Sequence, residues 1–93
     1  MNTALDYDGT YTRDPLLWNA VIKLMRSRGH RVYVVTMRYP NEEALEVKSY
    51  LLDHVDEIIF TGRRAKKPTV DRLGISIDVW IDDQPHFIQE DAL

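Results

Sequence analysis

Between Arg31 and Thr36 the chain reads Arg-Val-Tyr-Val-Val-Thr, a run in which β-branched and aromatic side chains fill both alternating sets. Successive side chains of a strand point to opposite faces. This strand is therefore apolar on both faces and must be covered on both. Strands of that kind belong to parallel sheets with helices packed above and below. Parallel neighbours also need long crossovers, most often helical, and the flanking sequence supplies them.

Thr3–Asp6 reads as a short first strand. Asp14 is placed to cap a helix that starts with Pro15. Leu17, Val21, Leu24 and Met25 recur at helical spacing as its apolar face, with Trp18 flanking that stripe. Arg26, Arg28 and Gly29 suit its end. Beyond Thr36, Pro40 and Asn41 open a second helix with Ala44, Val47, Leu51 and Leu52 as its buried stripe. Glu57–Phe60 is a third strand, Pro68–Leu73 a short helix stopped by Gly74, and Ile75–Ile81 a fourth strand with Trp80 in the core. The residues after Asp83 suffice for one short helix or turn. The pattern predicts a single α/β domain over residues 1–93, with no linker, repeat or low-complexity tract. Its expected form is a small Rossmann-like three-layer sandwich, with a four-stranded parallel sheet, right-handed crossovers and helices on both faces.

Composition narrows the function classes. There is no cysteine, which excludes disulfide frameworks, zinc–thiolate sites and cysteine nucleophiles. The net charge of −3 gives no reason to expect broad nucleic-acid binding. No basic stretch precedes a long apolar one, and no apolar run is long enough to span a bilayer, so the expectation is a soluble cytoplasmic protein without membrane attachment.

The polar residues that remain collect where the strands end. Asp6-Tyr7-Asp8-Gly9-Thr10 follows the first strand, Thr36 ends the second, Lys66 and Lys67 open the helix leading to the fourth, and Asp82-Asp83 follow the fourth. In open parallel sheets ligands bind beyond the carboxyl ends of the strands. Asp-Tyr-Asp-Gly is by itself also a good turn sequence. If the strand alternation continues, however, Asp6 and Asp8 share one side, and two carboxylates meeting there repel unless a cation lies between them. Carboxylates, water and a substrate phosphate make a typical Mg²⁺ site. One carboxylate can attack a phosphoryl group while another moves a proton.

In this order the motifs resemble those of the haloacid dehalogenase-like superfamily of phosphohydrolases, from Asp6 to Asp83. The resemblance implies a Mg²⁺-dependent phosphomonoesterase working through an aspartyl-phosphate. Asp6 would be the nucleophile. Asp8 would be the general acid and then the base, with its backbone carbonyl on the metal. The Thr36 hydroxyl and the Met37 N–H would hold a phosphoryl oxygen. Lys66 or Lys67 would neutralise nucleophile and phosphate, with Lys67 preferred because it stands directly before Pro68. Asp82 and Asp83 would complete the metal set with Asp6 and Asp8, Asp83 as direct ligand and Asp82 on a ligand water or the lysine. The second aspartate of the first motif favours hydrolysis of the phosphoenzyme.

Thr10–Asp14 and the segment from Thr36 to Lys67 leave no room for the cap domain that relatives insert, so the resemblance is to a capless member. An open site suits a phosphorylated polynucleotide end, or a phosphorylated small molecule such as a nucleotide if a second copy of the chain closes it. Arg63, Arg64, Lys66 and Lys67 form a basic cluster suited to a polyanion, or a solvated loop in which one lysine matters. Arg38 is placed to touch substrate. Tyr11, Tyr39 and His86 read as packing or surface groups near the strand ends, and His30 and His54 as structural. Two other classes remain in view. A metal- or phosphate-binding module without turnover has no missing motif to support it. A receiver-like phosphorylation domain uses similar residues, but there the acidic pair comes early and the lysine last.

Overall fold

The computed structural model describes residues 1–93. Four strands, β1 (Asn2–Leu5), β2 (Arg31–Thr36), β3 (Glu57–Phe60) and β4 (Val79–Ile81), form one parallel sheet in the order β3-β2-β1-β4. Three helices connect them: α1 (Pro15–Ser27), α2 (Glu43–Leu51) and α3 (Lys66–Arg72). Short 3-10 turns occupy Tyr11–Arg13 and Pro85–Ile88. None of the helices is long and apolar enough to cross a membrane.

Alternation along the strands divides the interior into two apolar layers. Leu5, Val32 and Val34 face Trp18, Ile22 and Met25 of α1 and Val47 and Leu51 of α2. Ala4, Tyr33, Val35 and Ile59 face Val70 of α3, with Ile75, Ile77 and Trp80 closing the side. The expected three-layer sandwich is therefore present. Each fully buried Val or Leu contributes ~1.5–3 kcal/mol, so these two layers hold the sheet and leave its polar strand ends free for other work.

The elements differ from the sequence reading in three respects: which helix residues are buried, the extent of β4 and the start of α3. The buried stripe of α1 is Trp18, Ile22 and Met25, whereas Leu17 and Leu24 are exposed. The run Leu-Leu-Trp-Asn-Ala-Val-Ile offers two apolar stripes one residue apart, and the bulkier one faces the sheet. Leu52 likewise lies outside the α2 stripe and is exposed. The fourth strand is only Val79–Ile81, paired with β1 from Thr3↔Val79. Just before it the Asp78 N–H donates to the Asn2 carbonyl at 2.8 Å, while the Asn2 N–H is taken by the Asp78 carboxylate at 2.7 Å instead of by a strand carbonyl. Ile75 and Ile77 alternate like a strand because they bury against Val70 and Trp80.

The third difference bears on the site. Helix α3 begins at Lys66, two residues before Pro68. Proline is tolerated in a first helical turn, where its missing N–H has no intrahelical acceptor. The helix ends as expected at Gly74 (φ 77°), where the Ile75 N–H donates to the Val70 carbonyl at 3.0 Å and the Gly74 N–H to that of Asp71 at 3.0 Å. These paired bonds need a left-handed residue at the turn, which glycine adopts without steric penalty.

Candidate active site at the carboxyl end of the sheet

The sheet order sets where a site can form. From β1 the chain moves outward through β2 to β3 and then returns across β1 to β4. Strand order therefore reverses at β1, and loops leaving a reversal point diverge and open a crevice. Asp6 is the first residue beyond β1, with its N–H donating to the Ile81 carbonyl of β4 at 2.9 Å.

Lys66 lies at the first position of α3 on the same face as Val70, so its stem runs inward. Its Nζ donates to Asp6 Oδ1 at 2.7 Å and to Asp82 Oδ2 at 2.6 Å. The three side chains are 4%, 9% and 4% exposed respectively, which makes this a buried triad rather than a surface pair. Thr10 completes the floor. Its Oγ1 lies 3.2 Å from Asp6 Oδ2 and 3.2 Å from Asp83 Oδ1, and it accepts the Asp83 N–H at 3.2 Å. A hydroxyl has one proton, so Thr10 donates to one of these carboxylates at a time. The Gln84 N–H donates to the second Asp82 oxygen at 3.0 Å.

Oxygens of Asp6, Asp82 and Asp83 all lie within 4.8 Å of one another. One ammonium does not balance three carboxylates. Burial, partly opposed by Lys66, pushes the Asp6 carboxyl up to about 7, and its hydrogen bond with Asp83 raises it further. The same bond holds Asp83 below the usual carboxylate range. Without a cation, a proton on Asp6 shared with Asp83 relieves the repulsion. A hard divalent cation held by the three carboxylates would also relieve it, and the all-oxygen donor set fits one. Gly9 (φ 83°) supports this fit. A Cβ there would overlap the Asp83 carboxylate, so the bare glycine makes room for it.

Asp8 takes a different direction. The alternation that would pair it with Asp6 stops at Leu5, because the chain turns. Tyr7 drops into the α1–α2 layer, stacked on Tyr11 with centroids 5.6 Å apart. The Asp8 carboxylate stays half-exposed, gripped by Arg38 through Nε to Oδ2 at 2.9 Å and Nη2 to Oδ1 at 2.8 Å. It does not join the acidic triad, which corrects the expectation of four converging side chains. It does line the same cleft of about 150 Å³, with Asp6, Thr36, Met37, Arg38, Arg63, Asp82, Asp83, Gln84 and Phe87. A larger surface hollow of about 280 Å³ beside α1, lined by Asn19, Lys23, Arg26, Asp53 and His54, has no such convergent set.

Thr36 is buried at the end of β2, and its hydroxyl accepts the Arg38 N–H at 3.3 Å. The Met37 carbonyl accepts from the Arg63 N–H and from Arg63 Nη1, both at 2.8 Å. Lys67, the lysine preferred from sequence, is turned away from the cleft and bonded to Asp71 at 2.9 Å on the exposed face of α3. The reason is the early start of α3, which gives Lys66 the inward position. The basic loop is also less free than its sequence implies. Arg63 pairs with Glu43 and Arg64 with Asp91, so each cation in the loop faces a carboxylate.

Of the remaining site residues, Thr10 and Gly9 were named from sequence without a role in the site, and Gln84 and Phe87 were not singled out. The first two had a signal, their place in the motif that begins at Asp6. Gln84 and Phe87 had none beyond following Asp83. Comparison with protein-family models, with curated proteins and with solved structures gives no match to this chain.

Proposed function

We propose that this chain is a Mg²⁺-dependent phosphomonoester hydrolase of the haloacid dehalogenase type, acting through an aspartyl-phosphate on Asp6. The observation that carries the reading is the buried Asp6 carboxylate at the strand-order reversal, bonded to Lys66 and within a few ångströms of two further aspartates. A nucleophile for phosphoryl transfer needs this setting, because one anion must approach another and the work is mostly charge neutralisation and positioning.

Asp6, Asp82 and Asp83 would hold Mg²⁺, which when bound supplies positive charge between nucleophile and phosphate. Lys66 adds a fixed cation and keeps the Asp6 carboxylate oriented. An Asp6 oxygen forms the bond to phosphorus as the ester P–O bond breaks, and the leaving oxygen takes a proton from Asp8. Asp8 then removes a proton from the water that attacks phosphorus, which releases inorganic phosphate and restores Asp6. Thr36 and Met37, which line the same cleft, hold the equatorial oxygens. A small cleft and a basic loop whose charges are already paired favour a small phosphomonoester, a mononucleotide among them, over a polynucleotide end.

The test is phosphate release from an aryl phosphate with and without Mg²⁺. Wild type should turn over only with the metal. Asp6→Asn should be inactive while keeping its circular dichroism spectrum. Retained activity in Asp6→Asn rejects the covalent route. Mg²⁺-induced stabilisation without phosphate release leaves a metal-binding module in place of an enzyme.

A further inference from the structure

Arg38 lines the cleft, but its guanidinium is committed to contacts inside the protein. Besides its fork on Asp8, its Nη1 donates to the Glu43 carbonyl at 2.9 Å and its Nη2 lies 3.4 Å from Glu46 Oε2. An arginine has five N–H donors, and these contacts engage most of them inside the protein. The guanidinium also lies 5.1 Å over the ring of Tyr7, whose hydroxyl donates to the same Glu46 oxygen at 2.6 Å. Arg38 is thus fixed by α2 on one side and by the residue preceding Asp8 on the other. Its side chain is 21% exposed, against 56% for Asp8.

We propose that Arg38 is a positioning residue that holds the Asp8 carboxylate at the cleft wall, with Glu46 and Tyr7 as its brace. The proposal rests on the phosphatase reading above. A half-exposed aspartate on a turn samples several rotamers, and a proton-transfer group must be in hydrogen-bond reach of the reacting oxygen. The bidentate fork fixes the plane of the carboxylate. It uses one lone pair on each oxygen, and the remaining ones are free for the proton that goes to the leaving group. A lysine supplies charge without a fork and does not replace it.

The test compares kcat/KM for a nitrophenyl phosphate, whose leaving group needs no proton, with that for a simple alkyl phosphate, whose leaving group does. The proteins are wild type, Arg38→Ala, Arg38→Lys, Asp8→Asn and Arg38→Ala with Asp8→Asn. Arg38→Ala should lower kcat/KM for the alkyl ester by ~10–100-fold and for the nitrophenyl ester far less, with Arg38→Lys between it and wild type. The inhibition constant of inorganic phosphate should stay within ~3-fold, since an unchanged ground-state affinity separates positioning from binding. In the Asp8→Asn background the arginine change should add nothing. An equal fall for both esters, a phosphate inhibition constant raised ~10-fold or more, or additivity with Asp8→Asn overturns the positioning role while leaving the phosphatase intact. Should Arg38→Ala not fold, Arg38→Lys carries the same comparison. A folded wild type that releases phosphate from neither ester overturns the phosphatase reading, and the positioning role falls with it.

Discussion

Lys66→Met keeps the length and apolar stem of the side chain and removes the ammonium between Asp6 and Asp82. Those carboxylates are 9% and 4% exposed, so water compensates each only weakly when its partner is lost. Removing one member of a buried ion pair costs ~3–5 kcal/mol. Asp6 recovers part of this by protonation, since its carboxyl already sits at about 7. The lower end, ~3 kcal/mol, is therefore expected near neutral pH without metal, a drop of roughly 12–24 °C in Tm for a domain of this size. Lys67→Met is the matched control. Its pair with Asp71 is 47% and 52% exposed and spans one helical turn. Such pairs contribute ~0.3–0.5 kcal/mol, or less than about 4 °C. Thermal and urea unfolding in EDTA measure both variants, and the Lys66→Met loss should grow as pH rises and Asp6 charges. Equal losses in the two variants, or no growth with pH, would refute the reasoning.

Metal-free wild type should lose stability as pH rises from the ordinary carboxylate range to about 7, because folded Asp6 keeps a proton over that window that the unfolded chain releases. Asp83, held low, contributes the opposite dependence only below that window. The slope should therefore disappear in Asp6→Asn and in saturating Mg²⁺, which urea midpoints at several pH values will show. Gly9→Ala should cost ~1–2 kcal/mol for its left-handed backbone and reduce the Mg²⁺-induced rise in Tm, because the new methyl displaces Asp83. An unchanged Mg²⁺ response in Gly9→Ala would detach Asp83 from the metal set.

The parts of the fold that could be read from sequence were those where local and tertiary preferences agree. Arg31–Thr36 is apolar on both faces and lies between β1 and β3, and Asp14, which accepts the Leu17 N–H at 3.1 Å, caps α1 as its sequence implies. Misreadings arose where two local solutions were nearly equal. The stripes through Leu17 and through Trp18 differ by one residue, and only the sheet chooses between them. Lys66 and Lys67 differ by one helical position, and the choice depends on where α3 starts, which Pro68 permits but does not dictate. Asp6 stood out because it follows a strand in company with Thr36, Lys66 and Asp82-Asp83 at the other strand ends, a distribution that the turn reading of Asp-Tyr-Asp-Gly does not account for. The Arg38–Asp8 fork joins residues 30 apart through a turn that strand periodicity cannot anticipate.

The order of the strands also governs when the carboxylate cluster comes into being. Asp6 and Lys66 are separated by 60 positions, and Thr10 and Asp83 by 73. β1 gains its first neighbour from β2, but the flank that carries Asp82 and Asp83 belongs to β4, the last strand. Contacts of such separation are entropically costly and form late. The mutual repulsion of the aspartates is therefore expected to enter with β4, whose Trp80 and Ile81 complete the two apolar layers as Asp82 and Asp83 arrive. Lys66, carried on the helix just before β4, is in place to receive them. The topology thus predicts that electrostatic strain enters together with the packing of the last strand, an order that φ-values at Val34 and Ile81 would check.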